Sequence, residues 1–309
     1  MNVVPHGTLA YGLQLPIQSH SERYVAPWEL AAGPVELDDV AVACEEAGFL
    51  YVGVCDHVAI PRERISPIGA TWYDTIATLS WLAAKTARVR LLSHVYVLPY
   101  RPPLMAAKAF ATLDCLSGGR SIIGLGAGYL EEEFELLGVP FRERGRRFDE
   151  GIDQLIRGLT DDDVDGFVLA PRPVQQPRPP IWIGGSSSAA LRRVARVGDG
   201  WLPEATPRGE MPAKIQELNV RCRELNRQRP VDIGAMSESI FVGQPTWDLG
   251  EGFLGENLTG SGEQIADSLR EFAQIGANHV MLRFKARSCA ELIDQIHKFG
   301  TEVAPYLRT

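Results

Sequence analysis

Three glycines at a spacing of two residues, Gly124, Gly126 and Gly128, follow a short apolar run that begins at Ser121. If a strand continues through them, they share one face, because successive strand residues point to opposite sides. That face lacks side chains, so a flat ring can approach the backbone there. The ordinary structural alternative is a bend or bulge in the strand. The spacing predicts a ring-binding slot that includes Ala127.

Acid–base candidates stand at the ends of two other apolar runs. Asp56 and His57 end the run LYVGVCDHV, where an imidazole can transfer a proton near neutral pH and a carboxylate can orient a ligand. An aspartate that caps the next helix is the structural alternative. His94 and Tyr96 share a spacing of two, so one strand face can present both to a pocket. A core histidine fits the same spacing.

A glycine–serine turn predicts an anion site. Gly184 and Gly185 end the apolar run at 181–183, and Ser186 begins a serine triplet that can cap a helix starting near Ala189. Free N–H groups at a helix start bind phosphate well, and glycines let the backbone approach it. An ordinary capped helix is the alternative. A ring slot and a phosphate cradle at one end of a fold together describe a flavin-like ligand.

Alternating apolar runs and amphipathic segments must position these residues. The predicted strands are 9–15, 50–54, 89–98, 122–125, 181–183, 201–202, 233–242 and 279–284. Repeated strand–helix alternation implies a parallel sheet with right-handed crossovers, and eight units close into a (β/α)8 TIM barrel of the α/β class. A doubly wound open sheet is the alternative. In a barrel, chemistry belongs at the carboxyl ends of the strands, where all the candidate residues fall.

Length and composition fit one domain. The chain has 309 residues, of which 45% are hydrophobic and 23% charged. We expect a single barrel domain over residues 1–309, because α/β barrels of this size fold as one unit. Two regions rich in acidic residues, proline or glycine interrupt the alternation, near 161–180 and 243–262. Such irregular segments are insertions, and long ones are often lids.

Charge and cysteine content narrow the partners. A formal net charge of −8 argues against general affinity for nucleic acid or anionic membrane. No basic segment followed by an apolar core opens the sequence, and no apolar run approaches ~18 residues, so we expect a cytoplasmic protein. The five cysteines lie far apart without CxxC spacing, which favours reduced thiols and predicts no metal site.

Several motifs occur together in an order that resembles a known family. They are SGGR at 117–120, GLGAG at 124–128 with the following EEEF and LGVPF, RGRRFDE at 144–150, and IWIGG to GDGW at 181–201. Together they resemble the bacterial luciferase-like monooxygenases, and more narrowly the branch that uses the deazaflavin coenzyme F420. The resemblance covers roughly residues 35 to 285, and the combination is far more specific than any one motif.

The resemblance implies a barrel, commonly dimeric, with the cofactor across its carboxyl-end mouth. It places Asp56 and His57 near the reactive ring, and a non-prolyl cis peptide near His94 and Val95, beside Tyr96. The turn Gly184, Gly185 and Ser186 matches the phosphate-binding segment. Asp114, Ser117 and Arg120 fall at the opposite end of the barrel, which suggests that they stabilise the fold.

The chain also departs from the branch. In its sugar-phosphate dehydrogenases a catalytic glutamate follows the glycine run directly, whereas here Tyr129 stands in that place. This argues against a sugar-phosphate dehydrogenase. Tyr129 can donate a proton, stack on a substrate or serve as a rim aromatic. We expect the glutamates at 131–133 to form the solvated start of a helix, and the arginines at 142–147 to form a solvated face paired with Glu143 and Glu150.

The sequence therefore predicts an F420-dependent oxidoreductase that passes hydride between a deazaflavin and a small organic substrate. His57 is the favoured proton relay, with Asp56 and Tyr129 beside it. One alternative is a two-component monooxygenase, in which reduced FMN from a partner reductase meets dioxygen in the same pocket. Another is a barrel that binds flavin without turnover. A homodimer is expected in each case.

Overall fold

A closed parallel barrel forms the body of the protein. The computed structural model describes residues 3–21 and 25–307. Its strands are β1 (Ala10–Gln14), β2 (Tyr51–Val54), β3 (Arg90–Ser93), β4 (Tyr96–Val97), β5 (Ser121–Gly126), β6 (Ile181–Gly184), β7 (Gly200–Leu202), β8 (Asp232–Val242), β9 (Leu258–Gly260) and β10 (His279–Phe284). Eight of them, β1, β2, β3, β5, β6, β7, β8 and β10, pair in that order, and β10 returns to β1. The (β/α)8 prediction is confirmed, and the closing pair Ala10–His279 excludes an open sheet.

Helices cover the outside of the barrel. They are α1 (Pro34–Glu46), α2 (Ile65–Ile68), α3 (Thr75–Lys85), α4 (Pro103–Leu116), α5 (Glu131–Leu136), α6 (Arg144–Thr160), α7 (Ser188–Val197), α8 (Met211–Glu224), α9 (Gly262–Gln274) and α10 (Cys289–Lys298). Short 3-10 segments lie at Pro27–Ala31, Arg62–Arg64, Leu98–Tyr100, Phe141–Glu143, Arg208–Glu210 and Ala304–Leu307, and a π-helical turn at Phe299–Val303. Side chains cap several helix starts: Asp74 accepts from the amide of Ala77, and Ser187 from that of Ala190.

Large side chains fill the barrel interior. Tyr51, Trp182 and Met281 are buried there with Leu92. His279 joins this cluster, since its ring stacks on Trp182 at a centroid distance of 4.3 Å and its Nδ1 lies 3.1 Å from the Tyr51 hydroxyl. Burial, and then the neighbouring His94, lower the pKa of His279 from 6.5 to about 3. The ring is therefore held in its neutral form.

A bulge separates β3 from β4 and presses against β5. Leu91 pairs with Ser121 but Tyr96 pairs with Leu125, so the β3–β4 chain carries one extra residue. The His94–Val95 peptide in this bulge is cis, as the resemblance implied. Ser93 Oγ donates to the Gly124 carbonyl at 2.8 Å and accepts from the Gly124 amide at 2.9 Å.

The bulge occupies the glycine face of β5. A Cβ at Gly124 would lie 1.9 Å from the carbonyl oxygen of Ser93, and a Cβ at Gly126 would lie 2.5 Å from Cγ2 of Val95. Gly128 lies beyond the strand with φ of 78°. The predicted open slot was therefore wrong in its geometry. Close approach of another backbone, which is one of the ordinary reasons for strand glycine, explains the spacing.

Both predicted insertions contain irregular chain. In the first, Val164 bridges Phe167, and Gln175 then binds the barrel through its amide and side chain, which donate to Asp114 at 2.9 and 2.7 Å. Arg120 donates hydrogen bonds to the carbonyls of residues 83, 86, 89 and 117. These bonds hold several loops together at this end of the barrel, which agrees with the stabilising role expected of Arg120. The second insertion contains β9, which extends the sheet beside β8.

The thiols and the helices bear on the expectations about cysteines and membrane spans. All five cysteines are unpaired thiols. Among residues 3–21 and 25–307, no helix has the length and apolarity to cross a bilayer.

The contact between the bulge and β5 generates a prediction about stability. Gly124→Ala places a methyl group against a backbone oxygen, which cannot move without shifting the strand, so we expect the free energy of unfolding to fall by about 3 kcal/mol. Gly209→Ala is the matched control, because a Cβ there has no neighbour within 4 Å. Its effect should stay within about 1 kcal/mol. Equal effects in urea unfolding would contradict the packing argument.

The buried His279 ring generates a second prediction. The unfolded chain binds a proton at His279 below pH 6.5, whereas the folded protein binds it only near pH 3, the lowered pKa of the buried ring. The free energy of unfolding is therefore greatest above pH 6.5 and falls as the pH decreases. Between these two pKa values, the single histidine lowers the free energy of unfolding by about 1.4 kcal/mol for each pH unit. Urea unfolding of the wild type and of His279→Gln at pH 6.5 and pH 5.0 measures it. The variant should lose less stability than the wild type over this interval, and parallel losses would refute the assignment.

Candidate active site

A cavity of about 1120 Å3 opens at the carboxyl ends of the strands. We call it the first cavity. Every predicted site residue except Tyr96 lines it. These residues are Asp56, His57, His94, Val95, Gly126, Ala127, Gly128, Tyr129, Gly184, Gly185 and Ser186. The barrel geometry therefore gathers residues that are up to 130 positions apart in the chain into one place.

Tyr96 is the exception. Its ring packs on Phe110 at 5.1 Å and lies under the Arg101 guanidinium at 4.3 Å, in the layer between sheet and helices. The prediction that His94 and Tyr96 share a pocket-facing side was wrong. The extra residue in the bulge shifts the alternation, so the two side chains separate.

His57 is held by a carboxylate that the sequence analysis assigned to solvent. Its Nδ1 lies 2.9 Å from Oε2 of Glu133, whose side chain is fully buried. The same carboxylate accepts from the Tyr100 hydroxyl at 2.7 Å, from the Ala59 amide at 3.1 Å and from the Val58 amide. Burial opposes ionisation, but hydrogen bonds from His57 and Tyr100 outweigh it and hold the pKa of Glu133 below its usual range.

The expectation of a solvated glutamate triplet was thus wrong for Glu133. Glu132 does pair with Arg64 near the surface. A signal for the difference was present: Leu130, Glu133, Phe134 and residue 137 follow the i, i+3, i+4, i+7 spacing of a buried helical stripe. A glutamate inside such a stripe needs buried donors, and His57 and Tyr100 are those donors.

The hydrogen bond to Glu133 determines which ring nitrogen of His57 carries the hydrogen and which one is an acceptor beside the cavity. An ionised carboxylate only accepts hydrogen bonds. Nδ1 of His57 therefore carries a hydrogen and donates a hydrogen bond to Glu133. Nε2 lies 3.3 Å from the Tyr129 hydroxyl, and in the neutral ring it accepts from that hydroxyl. Trp72 packs against the imidazole at 4.4 Å and fixes its plane. The arrangement offers a proton acceptor at Nε2, beside the cavity.

Asp56 has a different set of partners. Its Oδ1 and Oδ2 accept a bidentate pair of hydrogen bonds from Arg101, each 2.7 Å long, and Oδ2 also accepts from the Val97 amide at 2.7 Å. Both oxygens therefore hold the chain that leaves the bulge. The geometry favours positioning for Asp56 over the predicted catalytic role.

The bulge provides an apolar floor for the first cavity. The Val95 side chain lies against two backbones, since a Cβ at Gly126 or Gly184 would fall 2.5 or 2.8 Å from its methyl groups. His94 stands next to it, and the lack of water around its ring, with Arg283 second, lowers the pKa of His94 to about 4. A flat ring can rest on this neutral surface of backbone, isopropyl group and imidazole.

The glycine–serine turn differs from the predicted cradle. The amide of Gly185 donates to the Leu202 carbonyl at 3.0 Å, and its carbonyl accepts from Trp201 at 2.8 Å. Ser186 Oγ lies 2.5 Å from Thr206 Oγ1. Gly185 thus shapes the turn, and the donors that point away from the helix belong to the first residues of α7, after its Ser187 cap.

Three arginines, Arg142, Arg144 and Arg193, line the first cavity. Arg193 pairs with Asp149 at 2.7 Å, and Arg142 is exposed, as we expected of a solvated face. Arg146 and Arg147 do form the expected surface pairs with Glu143, at 2.8 and 3.0 Å. An anionic group at the start of α7 therefore meets backbone donors and cations together.

Comparisons with known proteins agree with this geometry. A family model described as luciferase-like monooxygenase matches residues 12–245. An uncharacterised protein of Mycobacterium tuberculosis is 34% identical over 223 residues, covering 66% of this chain and 77% of that protein. An F420-dependent glucose-6-phosphate dehydrogenase of Kineococcus radiotolerans is 34% identical, covering 55% of this chain and 52% of that enzyme. An FMNH2-dependent dimethylsulfone monooxygenase of Pseudomonas putida is 27% identical, covering 59% and 52%.

A solved structure shares the fold along almost the whole chain. The coenzyme F420 dependent tetrahydromethanopterin reductase from Methanopyrus kandleri superposes with a TM-score of 0.72 at 17% identity, covering 97% of this chain and 99% of that one. At this identity the likeness shows the fold alone.

The buried carboxylate generates a prediction. Tyr100→Phe removes a hydrogen bond to a charged acceptor without changing the ring, so we expect the free energy of unfolding to fall by about 2 kcal/mol at pH 7. The pKa of Glu133 should rise, because a donor to its ionised form is lost. Tyr306→Phe, at an exposed tyrosine, is the control and should leave stability unchanged. If both variants unfold at the same urea concentration, Glu133 does not depend on Tyr100.

Proposed function

Because the chain belongs to the luciferase-like monooxygenase family, we propose that it is an F420-dependent oxidoreductase that passes hydride between a deazaflavin and a small organic substrate. The family includes F420-dependent and reduced-flavin-dependent enzymes, so oxidoreductase chemistry is common to both readings. The observation that carries the proposal is the ordered Glu133–His57–Tyr129 chain at the wall of the first cavity.

The first cavity fits a ring-bearing, anionic cofactor. Val95 and the backbones around it offer a flat apolar floor, and the start of α7 with Arg142 and Arg144 offers donors and positive charge for a phosphate. When bound, a deazaflavin supplies the ring carbon that gives or accepts hydride. The protein supplies the position of the ring and a separate group for the proton.

His57 is the residue that handles the proton. When a hydroxyl-bearing substrate is oxidised, a proton leaves the hydroxyl oxygen, and Nε2 of His57 accepts it directly or through Tyr129. Glu133 stabilises the resulting imidazolium, because it is buried, ionised and hydrogen-bonded to Nδ1. In the reverse direction the imidazolium returns the proton. Glu133 acts behind His57, so it does not replace the glutamate that sugar-phosphate dehydrogenases carry after the glycine run.

A two-component FMN monooxygenase is the second candidate. It is favoured by the alignment with the FMNH2-dependent dimethylsulfone monooxygenase. The start of α7 can bind the single phosphate of FMN as well as that of a deazaflavin. Such an enzyme would need a partner reductase for its flavin and would consume dioxygen, whereas a deazaflavin reacts poorly with dioxygen and needs a partner F420 reductase only if it reduces the substrate. A flavin-binding barrel without turnover would bind cofactor but show no substrate-dependent change in its absorbance.

Cofactor titration followed by turnover tests the proposal. The purified protein should bind F420 at least about tenfold more tightly than FMN, because F420 carries carboxylates in addition to its phosphate and gains more from the cations of the lining. His57→Ala should lower substrate-dependent bleaching of F420 by about 100-fold while leaving cofactor affinity within about threefold. Glu133→Gln should also slow bleaching, because an amide reverses the tautomer of His57.

The outcomes separate the candidates. Tight FMN binding with dioxygen-dependent turnover would replace the F420 assignment by the monooxygenase. Binding of either cofactor without any bleaching across a panel of alcohols and aldehydes would favour a carrier. Full activity in His57→Ala would remove the proton role from His57.

A further inference from the structure

A second cavity of about 900 Å3 opens at the same end of the barrel, between β1, β8, β10 and the insertion at 243–262. We call it the side cavity. Gln14 lines both cavities. Its carboxamide lies between them, donating to Cys55 Sγ at 2.9 Å and accepting from Arg283 at 3.1 Å. One side chain therefore divides the two compartments, and the chemistry proposed above uses only the first.

Aromatic side chains form much of the side cavity wall. Trp28, Trp247, Phe253 and Phe284 all line it. Within the described residues, the buried indole Nε1 of Trp28 has no hydrogen-bond partner. Such a wall gains most from burying an apolar body, and rings pack on it best. The orphan indole donor adds a polar contact that a ligand atom can satisfy.

Cations stand at the inner side of the same cavity. Arg283 and Lys285 project from the end of β10 at a spacing of two, and Arg287 follows. Lys285 Nζ donates to the backbone carbonyl of Glu251. The Arg283 guanidinium lies 4.9 Å from the Phe253 ring. An anionic ligand group would meet two cations beside an aromatic surface.

The two acidic residues in the lining, Glu29 and Glu251, offset this charge only in part. Glu29 uses its two oxygens for the amides of Ile17 and Ala26, at 2.9 and 2.8 Å. The Glu251 residue is exposed at the outer edge. Burial, and then the neighbouring Arg283, lower the pKa of Lys285. The exposed Glu251 carboxylate opposes these two effects only in part, and a bound anion would offset them further by adding negative charge beside the ammonium.

We propose that the side cavity binds the part of the substrate remote from the reacting carbon, and that it takes an organic anion with an aromatic body and a carboxylate at Lys285. The substrate would then extend past Gln14 toward the floor formed by Val95. The link to turnover rests on the function proposed above, whereas binding in the side cavity does not require a cofactor.

Calorimetric titration with two matched probes tests the proposal. The full-length wild type should bind 2-naphthoate about tenfold more tightly than the neutral 2-naphthamide, since the ring is the same and only the charge differs. Lys285→Met should remove this preference by weakening naphthoate alone. Lys298→Met is the matched control, because Lys298 pairs with Asp294 on α10 outside the cavity, and it should preserve the preference.

A second variant tests the apolar wall independently. Trp247→Ala should weaken both probes by about the same factor, and melting curves will show whether the variant is folded. Naphthoate should also bind when the first cavity is saturated with whichever cofactor the protein takes. The proposal is overturned if the wild type does not prefer naphthoate, if Lys298→Met loses the preference as Lys285→Met does, or if the cofactor displaces the probe. Because the probe titration needs no cofactor, its failure leaves the F420 assignment standing, and failure of F420 binding leaves the side cavity standing.

Discussion

The close approach of the β3–β4 bulge to β5 is the constraint on which the site depends. Two backbones come together there because Gly124 has no side chain, and Ser93 locks them with paired hydrogen bonds. The extra residue turns Val95 into the cavity and Tyr96 away from it. It also brings the Val97 amide to Asp56. The floor of the cavity and the anchor of its neighbouring strand thus follow from one packing contact.

Two buried carboxylates, those of Asp56 and Glu133, lie beside the cavity floor and have different partners. Asp56 binds a permanently charged guanidinium and a backbone amide, so its oxygens are committed to holding the chain. Glu133 binds a histidine, whose charge changes with protonation. One acid therefore orients the backbone, and the other orients the imidazole ring of His57. In both cases the buried charge is stabilised by several donors, as burial requires.

The fold was predictable because burial leaves a periodic record in the sequence. The strand predicted at 122–125 is Ser121–Gly126 in the structure, and that at 279–284 has the same bounds. The barrel rule then gathered the strand ends correctly. Tyr96 was misplaced because the spacing argument assumed an unbroken strand, whereas a one-residue bulge at the predicted cis peptide reverses the alternation. The availability of the Gly185 amide depended on the path of β7, and the burial of Glu133 on a neighbouring loop, so both required tertiary structure.

The carboxylate of Glu133 also makes two distant parts of the chain interdependent over evolutionary time. It accepts hydrogen bonds from the loop after β2 at Val58 and Ala59, while Glu133 itself lies on α5, the helix that follows β5. A change of length in the loop after β2 or between β5 and α5 must be matched in the other segment, so this wall of the first cavity should vary slowly and in concert. The aromatic residues around Trp247 stand on a separate insertion. That wall can change by single replacements, because its aromatic residues take no part in the contacts of Glu133.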